Sequence, residues 1–174
     1  MKIIAFAGSN SLTSINKQLV SYAVSLFKEA DAEVLDLNDY EAPLYQYQRE
    51  EREGIPQVIK SLAEKIDAAD LLVISLAEHN GNFSTAFKNT MDWLSRIPGR
   101  KAWGDRRVLL LATSPGPRGA QSVLNIAVNE FPFRGATVVG SFSLPSFGDT
   151  FDTEKGVIKD PAKDAELKQL VNSL

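Results

Sequence analysis

Three short polar segments hold the residues best suited to chemistry. The first runs Gly8-Ser9-Asn10-Ser11-Leu12-Thr13-Ser14-Ile15-Asn16, a glycine and several hydroxyl side chains just ahead of a helical pattern. Backbone N–H groups at a helix start, aided by the helix dipole, can cradle a phosphate monoester, and Ser9, Ser11 and Ser14 would add hydroxyl donors. The segment lacks the lysine of a Walker loop and the spacing of G-x-G-x-x-G. A plain turn with Ser14 as helix cap uses the same residues. The second segment, Ala77-Glu78-His79-Asn80-Gly81-Asn82-Phe83-Ser84, joins a carboxylate and the chain's one imidazole to an Asn-Gly pair suited to unusual backbone angles. A strand-to-helix turn capped by Ser84 explains its glycine but not the Glu-His-Asn cluster. In the third, Thr113-Ser114-Pro115-Gly116-Pro117-Arg118-Gly119-Ala120, glycine permits close approach of the backbone to a flat ligand. A rigid turn is the plain alternative.

Composition excludes several other chemistries. With no cysteine there is no thiol nucleophile, disulfide, iron–sulfur cluster or cysteine zinc site, and one histidine argues against a multi-histidine metal centre. Acidic residues number 22 against 19 basic ones, a net charge of -3, and no basic run exceeds Arg100-Lys101 or Arg106-Arg107. That balance leaves no footprint for nucleic acid. Hydrolytic chemistry lacks support too, since G-x-S-x-G is missing and Glu78 has no second carboxylate at matching depth. Ile3-Ile4-Ala5-Phe6-Ala7 is too short for a signal peptide, and no stretch nears the roughly 18 apolar residues of a membrane span. The expectation is a single domain over residues 1–174, soluble and cytoplasmic, with no membrane or nucleic-acid partner and no metal.

The elements that must position the three segments follow from periodicity. Apolar runs at 3–7, 33–37, 71–76, 108–113 and 137–144 read as strands, and the unbroken hydrophobicity of 71–76 and 108–113 predicts strands covered on both faces. Between them, Ile15, Leu19, Ala23, Leu26 and Phe27 share one helical face. Ile55, Val58, Ile59, Leu62 and Ile66 share another, as do Phe83, Phe87, Met91 and Leu94. Val123, Leu124, Ala127, Val128 and Phe131 predict a fourth helix. A fifth follows from Leu167, Leu170, Val171 and Leu174, with Asp160 as N-cap and Pro161 at the first helical position. Strict alternation of strand and helix demands a parallel sheet with helices on both faces. Five such units at this length predict a three-layer, flavodoxin-like α/β fold, a five-stranded parallel sheet in order 2-1-3-4-5, whose ligand site lies at the carboxyl ends of the strands. The three polar segments are the loops expected there.

Together these residues resemble the NADPH-dependent FMN reductase family, the flavodoxin-like group that includes quinone, chromate and azo-dye reductases. The family's first loop reads G-S-x-R-x-x-S-x-N, matched by Gly8, Ser9, Ser14 and Asn16. Its P-E-Y-N and L-K-N-x-x-D-W motifs are matched by Glu78, Asn80, Lys88, Asn89, Asp92 and Trp93. Its S-P-G-x-x-G is matched by Ser114, Pro115, Gly116 and Gly119. The resemblance implies that Ser9, Ser14 and Asn16 hold the FMN phosphate in a cradle that includes Ser11 and Ile15. It further implies that residues 78–81 (Glu78, His79, Asn80, Gly81) and 114–116 line the isoalloxazine ring.

Hydride would pass from NADPH or NADH through FMN to a flavin, quinone or similar small acceptor. The chain would supply no catalytic acid or base of its own; backbone N–H groups of 78–81 would serve as hydrogen-bond donors that favour an anionic reduced flavin. A homodimer or homotetramer is implied, its interface including the helix that carries Trp93. His79 stacks on the flavin, donates a proton to a quinone acceptor, or is simply an exposed loop histidine. The family arginine is replaced by Ser11, and Ala77, His79 and Ser84 stand where proline, tyrosine and proline are usual. Lys17 and Arg118 are the nearest cations by topology, Arg118 also as a clamp for a coenzyme phosphate. The segment Tyr40–Tyr47 is expected to fold over the site, over a neighbouring chain, or as a surface loop. The Ser11 substitution also admits an alternative: a non-catalytic flavodoxin-like FMN-binding electron carrier or regulatory binding module.

Overall fold

The computed structural model describes all 174 residues. In chain order the elements are β1 (Lys2–Gly8), α1 (Ile15–Ser25), β2 (Asp31–Leu35), a 3-10 turn (Leu37–Tyr40), α2 (Tyr47–Glu53) and α3 (Gln57–Asp67). Next come β3 (Leu71–Leu76), β4 (Glu78–His79), β5 (Asn82–Phe83), α4 (Thr85–Leu94) and β6 (Arg106–Thr113). The chain continues with α5 (Gln121–Glu130), β7 (Ala136–Leu144), α6 (Phe147–Thr150), β8 (Phe151–Asp152), β9 (Val157–Ile158) and α7 (Pro161–Asn172). The five long strands are all parallel and lie in the order β2-β1-β3-β6-β7, which is 2-1-3-4-5 when only those five are counted. β3 occupies the centre, and every one of its residues is buried, as its unbroken apolar run requires.

The period of two along each strand divides the core into two layers. Ile4, Phe6, Leu72, Ile74, Leu76, Val108 and Leu110 face α3, α4 and α5, meeting Ile59, Leu62, Phe87, Met91, Trp93 and Leu124. Ile3, Ala5, Val73, Leu109 and Leu111 face α1 and α7, meeting Leu19, Val20, Ala23, Leu167 and Val171. Most residues assigned to helical faces by spacing therefore bury that face against one side of the sheet; Leu26, Phe27, Ile55, Phe131 and Leu174 pack there from just beyond the helix ends, and Phe83 does so from β5. α7 starts where its sequence predicts: the Asp160 carboxylate accepts from the N–H groups of Ala162 and Lys163, both at 2.9 Å, with Pro161 at the first helical position.

Outside the five-unit pattern lie the 3-10 turns Leu37–Tyr40 and Pro132–Arg134, α2, α6 and the antiparallel hairpins β4–β5 and β8–β9. The segment 42–45, ahead of α2, is strapped onto α4. Asn89 accepts from the Tyr45 N–H at 2.8 Å and donates to the Ala42 carbonyl at 3.0 Å. The indole N–H of Trp93 donates to the Pro43 carbonyl at 2.7 Å, and the Tyr45 ring stands edge-on to the Trp93 ring at 5.1 Å. The strap thus holds to this chain's own helix. Trp93 is fully buried, while Asp92 sits at the surface, paired with Lys88. No helix is long and apolar enough to cross a membrane.

Candidate functional site

Parallel strands present their carboxyl ends together, so the loops after β1, β3 and β6 meet at one edge of the sheet. They enclose a cavity of about 210 Å³. From the first loop it is lined by Ser9, Ser11, Thr13, Ser14, Ile15 and Asn16. The second contributes Ala77, Glu78 and His79, and the third Thr113, Ser114 and Pro115. Asn80, Gly81 and Gly116, the remaining residues picked out by sequence, sit in the same loops just beyond this lining.

Local bonding shapes the first loop. Ser14 caps α1, its hydroxyl accepting from the Lys17 N–H at 3.2 Å. The Ser9 hydroxyl accepts from the Ser11 N–H at 3.2 Å, and the Ser11 hydroxyl from the Thr13 N–H at 3.3 Å. Ile15 and Asn16, the first two residues of α1, keep backbone N–H groups with no intrahelical acceptor, as at any helix start. Asn16 is buried, and its side chain is fully engaged. Its oxygen accepts from the Ser75 hydroxyl (2.8 Å) and the Thr113 N–H (3.1 Å), and its amide donates to the Thr113 carbonyl (3.2 Å). That clamp ties α1 to β3 and β6, so what Asn16 presents to the cavity is its main chain.

The second loop is a two-residue hairpin turn. Asn80 and Gly81 both take positive φ, 53° and 76°, the conformation an Asn-Gly pair between short antiparallel strands favours. The Glu78 carboxylate accepts from the Val123 N–H at 3.0 Å, in the first turn of α5. α5 has no side-chain cap of its own, because Ala120 precedes it, so Glu78 supplies both the missing acceptor and a negative charge at the helix start. Ser84 caps α4 by accepting from the Phe87 N–H and donates to the Gly8 carbonyl at 2.8 Å, linking the second loop to the first. The His79 side chain is exposed at the cavity's rim.

The third loop is fastened by the end of β7 and the chain that follows it. Ser146 N–H donates to the Gly116 carbonyl (3.0 Å), Phe147 N–H to the Ser114 carbonyl (3.1 Å) and the Ser143 hydroxyl to the Gly119 carbonyl (2.8 Å). Gly119, at φ +57, has no room for a Cβ, which would stand 2.4 Å from the Ser143 oxygen and 2.9 Å from the Pro145 nitrogen. Gly116 differs. A Cβ there would meet nothing nearer than the Ser114 oxygen at 4.0 Å, so neither backbone angle nor crowding within the chain requires glycine at this position.

No lysine or arginine lines the cavity, and Glu78, its one carboxylate, is turned to α5. Of the two cations nearest by topology, Lys17 reaches away to Asp36, and its hydrogen bond, more than any other contact, holds that carboxyl below the ordinary range. Arg118 is exposed at the outer end of the third loop. No group of three or more His, Asp or Glu side chains is gathered to hold a metal. Sequence reasoning missed the residues that support the loops: Ser75 and Thr113 under Asn16, and Ser143 and Ser146 under the third loop. A signal existed for Ser75, the one hydroxyl in an otherwise apolar buried strand, whereas Thr113 meets Asn16 through its main chain, which no residue type reveals. The donors at 143 and 146 are distant in sequence and gave none.

Residues 1–149 match the family model described as NADPH-dependent FMN reductase. Among curated relatives, an NADPH:quinone oxidoreductase of Arabidopsis thaliana is 28% identical over 181 residues, covering 100% of this chain and 90% of that protein. A quinone reductase of Escherichia coli is 32% identical over 120 residues, 68% of this chain and 63% of that one. Among solved structures, a flavoenzyme NAD(P)H:(acceptor) oxidoreductase from Paracoccus denitrificans superposes with a TM-score of 0.79 at 21% identity, over 99% of this chain and 93% of that one. This last likeness bears on the fold.

Proposed function

The chain belongs to the NADPH-dependent FMN reductase family, and on that footing we propose that its three loops hold FMN while electrons pass from NADPH or NADH to a quinone, a flavin or a similar small acceptor. The observation that carries this reading is the convergence of the three loops on one cavity whose donors suit a phosphate, with open space beside it in the third loop at Gly116, where a flat ring could approach the main chain. The free N–H groups of Ile15 and Asn16, with the hydroxyls of Ser9 and Ser11, form an uncrowded donor set at a helix start, where an anion is favoured. Space around Gly116 that the fold does not use is the space a ring needs for contact with the main chain.

When bound, FMN supplies the centre that accepts and returns the hydride. The chain's own contribution is to hold and orient. Ser9, Ser11, Ser14, Ile15 and Asn16 bind the phosphate end; Glu78, His79, Asn80 and Gly81 form one wall of the ring site, and Ser114, Pro115 and Gly116 the other. By capping α5, Glu78 keeps the second and third loops in fixed relation. His79, exposed at the rim, faces the side from which an acceptor enters. The expected assembly is a homodimer or homotetramer, the expected compartment the cytoplasm.

The test is a titration of flavin-free protein with FMN, followed by NAD(P)H oxidation with a quinone. Saturation at one FMN per chain supports the reading; no binding up to about millimolar FMN, weaker than about 4 kcal/mol, overturns it. Gly116→Val localises the ring site. The substitution meets open space and should leave thermal stability within about 0.5 kcal/mol, yet weaken FMN at least tenfold. Unchanged FMN affinity would remove the third loop from the ring site.

A further inference from the structure

We propose that Ser75 is a positioning residue for the flavin phosphate: acting through Asn16, it fixes the phosphate cradle relative to the loop that lines the ring. The inference rests on the flavin reading above and adds to it a residue that touches no ligand. β3 is apolar except for Ser75, which is fully buried. By the period of two it lies on the α1 side of the sheet, with Leu71 and Val73. A buried hydroxyl costs stability unless it is hydrogen-bonded, and an apolar residue there would carry no such cost. The Ser75 hydroxyl donates to Asn16 Oδ1 at 2.8 Å, and that bond accounts for a polar residue in the central strand.

Asn16 joins the two halves of the site. Its backbone N–H stands at the start of α1, among the phosphate donors. Its side chain reaches Thr113, the residue immediately before the third loop, accepting from the N–H at 3.1 Å and donating to the carbonyl at 3.2 Å. Two bonds to one residue leave the start of α1 able to hinge about the end of β6, and the third bond, from β3, removes that freedom. Only one side of the hinge is free to move. Thr113 is held independently, its hydroxyl donating to the Leu144 carbonyl at 2.7 Å, and the third loop is tied down by Ser143 and Ser146. In the first loop the bonds of Ser9 and Ser11 are local, and Ser84 holds it only at its first residue, Gly8. Loss of the Ser75 hydroxyl should therefore displace the phosphate donors and leave the ring loop in place.

Calorimetric titration of the flavin-free protein with FMN and with riboflavin, which carries the ring but no phosphate, tests the proposal. The parent should bind FMN more tightly than riboflavin. Ser75→Ala should weaken FMN about tenfold and leave riboflavin unchanged, a change of ratio that a general loss of stability would not produce. Ser75→Thr, which keeps the hydroxyl, should retain the parent's ratio. Because Ser75 acts through Asn16, Ser75→Ala should have no further effect on the ratio once Asn16→Ala is present. The proposal is overturned by an unaltered ratio in Ser75→Ala, by loss of both flavins together, by additive effects of the two substitutions, or by a parent with no preference for FMN. In each of these cases FMN binding by the parent leaves the flavin reading standing. Failure of the parent to bind FMN overturns both.

Discussion

Ser11 carries the sharpest consequence of any single residue. The family pattern has an arginine in its place, and Lys17, one of the two nearest cations by topology, is committed to Asp36. Ser11→Arg should therefore tighten FMN by roughly tenfold to a hundredfold, the equivalent of about 1.5–3 kcal/mol for a hydrogen bond to a charged group. Equilibrium titration reads this directly, and an unaltered affinity would place Ser11 outside the phosphate pocket. Asn16 teaches the opposite lesson. The family motif suggests a phosphate ligand, yet its side chain is buried and spends its hydrogen bonds on Ser75 and Thr113. It acts on the cradle by fixing where α1 begins, and the N–H groups at that start are what a phosphate would meet. Glu78 behaves similarly, since its carboxylate is occupied by the α5 amide.

At the scale of elements, the site depends on caps and straps that bridge distant stretches of chain. Ser14, Ser84 and Glu78 set the starts of α1, α4 and α5, and all three starts lie at the carboxyl edge of the sheet. The strap at 42–45 depends on α4 through Asn89 and Trp93. The K-N-x-x-D-W pattern in this chain is thereby explained without a ligand: Lys88 and Asp92 pair along the helix, while Asn89 and Trp93 hold the strap. Asn89→Ala removes acceptor and donor together. Global stability should drop by about 1–2 kcal/mol, and the Tyr45 amide, deprived of its acceptor, should exchange with solvent well before the sheet amides do. Protection at Tyr45 equal to that of β3 would show that the strap is held by other contacts.

For the whole molecule, two cores on either side of one sheet make the fold independent of most surface charges, so electrostatics appears chiefly at acid pH. The Asp36 carboxyl is held below its ordinary value of about 4, first by the Lys17 hydrogen bond and next by the Asn38 N–H. Glu50 is lowered chiefly by its hydrogen bond from Arg96. A carboxyl depressed in the folded state contributes stability that is present above its unfolded value and lost as pH falls through its folded one. Lys17→Met should accordingly cost less than about 1 kcal/mol near neutral pH, the size of an exposed ion pair. The variant and the parent should converge as the pH falls through and below about 4. Urea unfolding across the pH range reads the difference, and a gap that persisted at low pH would assign the effect of Lys17 to packing along α1 instead.

The parallel sheet and the helix faces were legible in the linear sequence because they follow from period and connectivity; strand order does not follow from pattern alone, and 2-1-3-4-5 came from the order that best suits five units in a chain this size. Alternation of apolar runs with 3.6-residue patterns leaves few topologies open, and 71–76 had to be interior once it carried no polar face. Loop chemistry was legible as composition, and the three loops were identified from residue type alone. The roles of individual side chains within those loops depended on partners that only folding brings near. Asn16 meets Thr113 across 97 positions and Glu78 meets Val123 across 45, and no local pattern distinguishes a side chain that will be clamped from one left free. The small hairpins, α2 and the strap likewise depend on what they rest against, since segments so short are not stable alone. The site's cavity belongs to the tertiary structure entirely, because its walls come from residues 9–16, 77–79 and 113–115, and a cavity exists only once all three are in place.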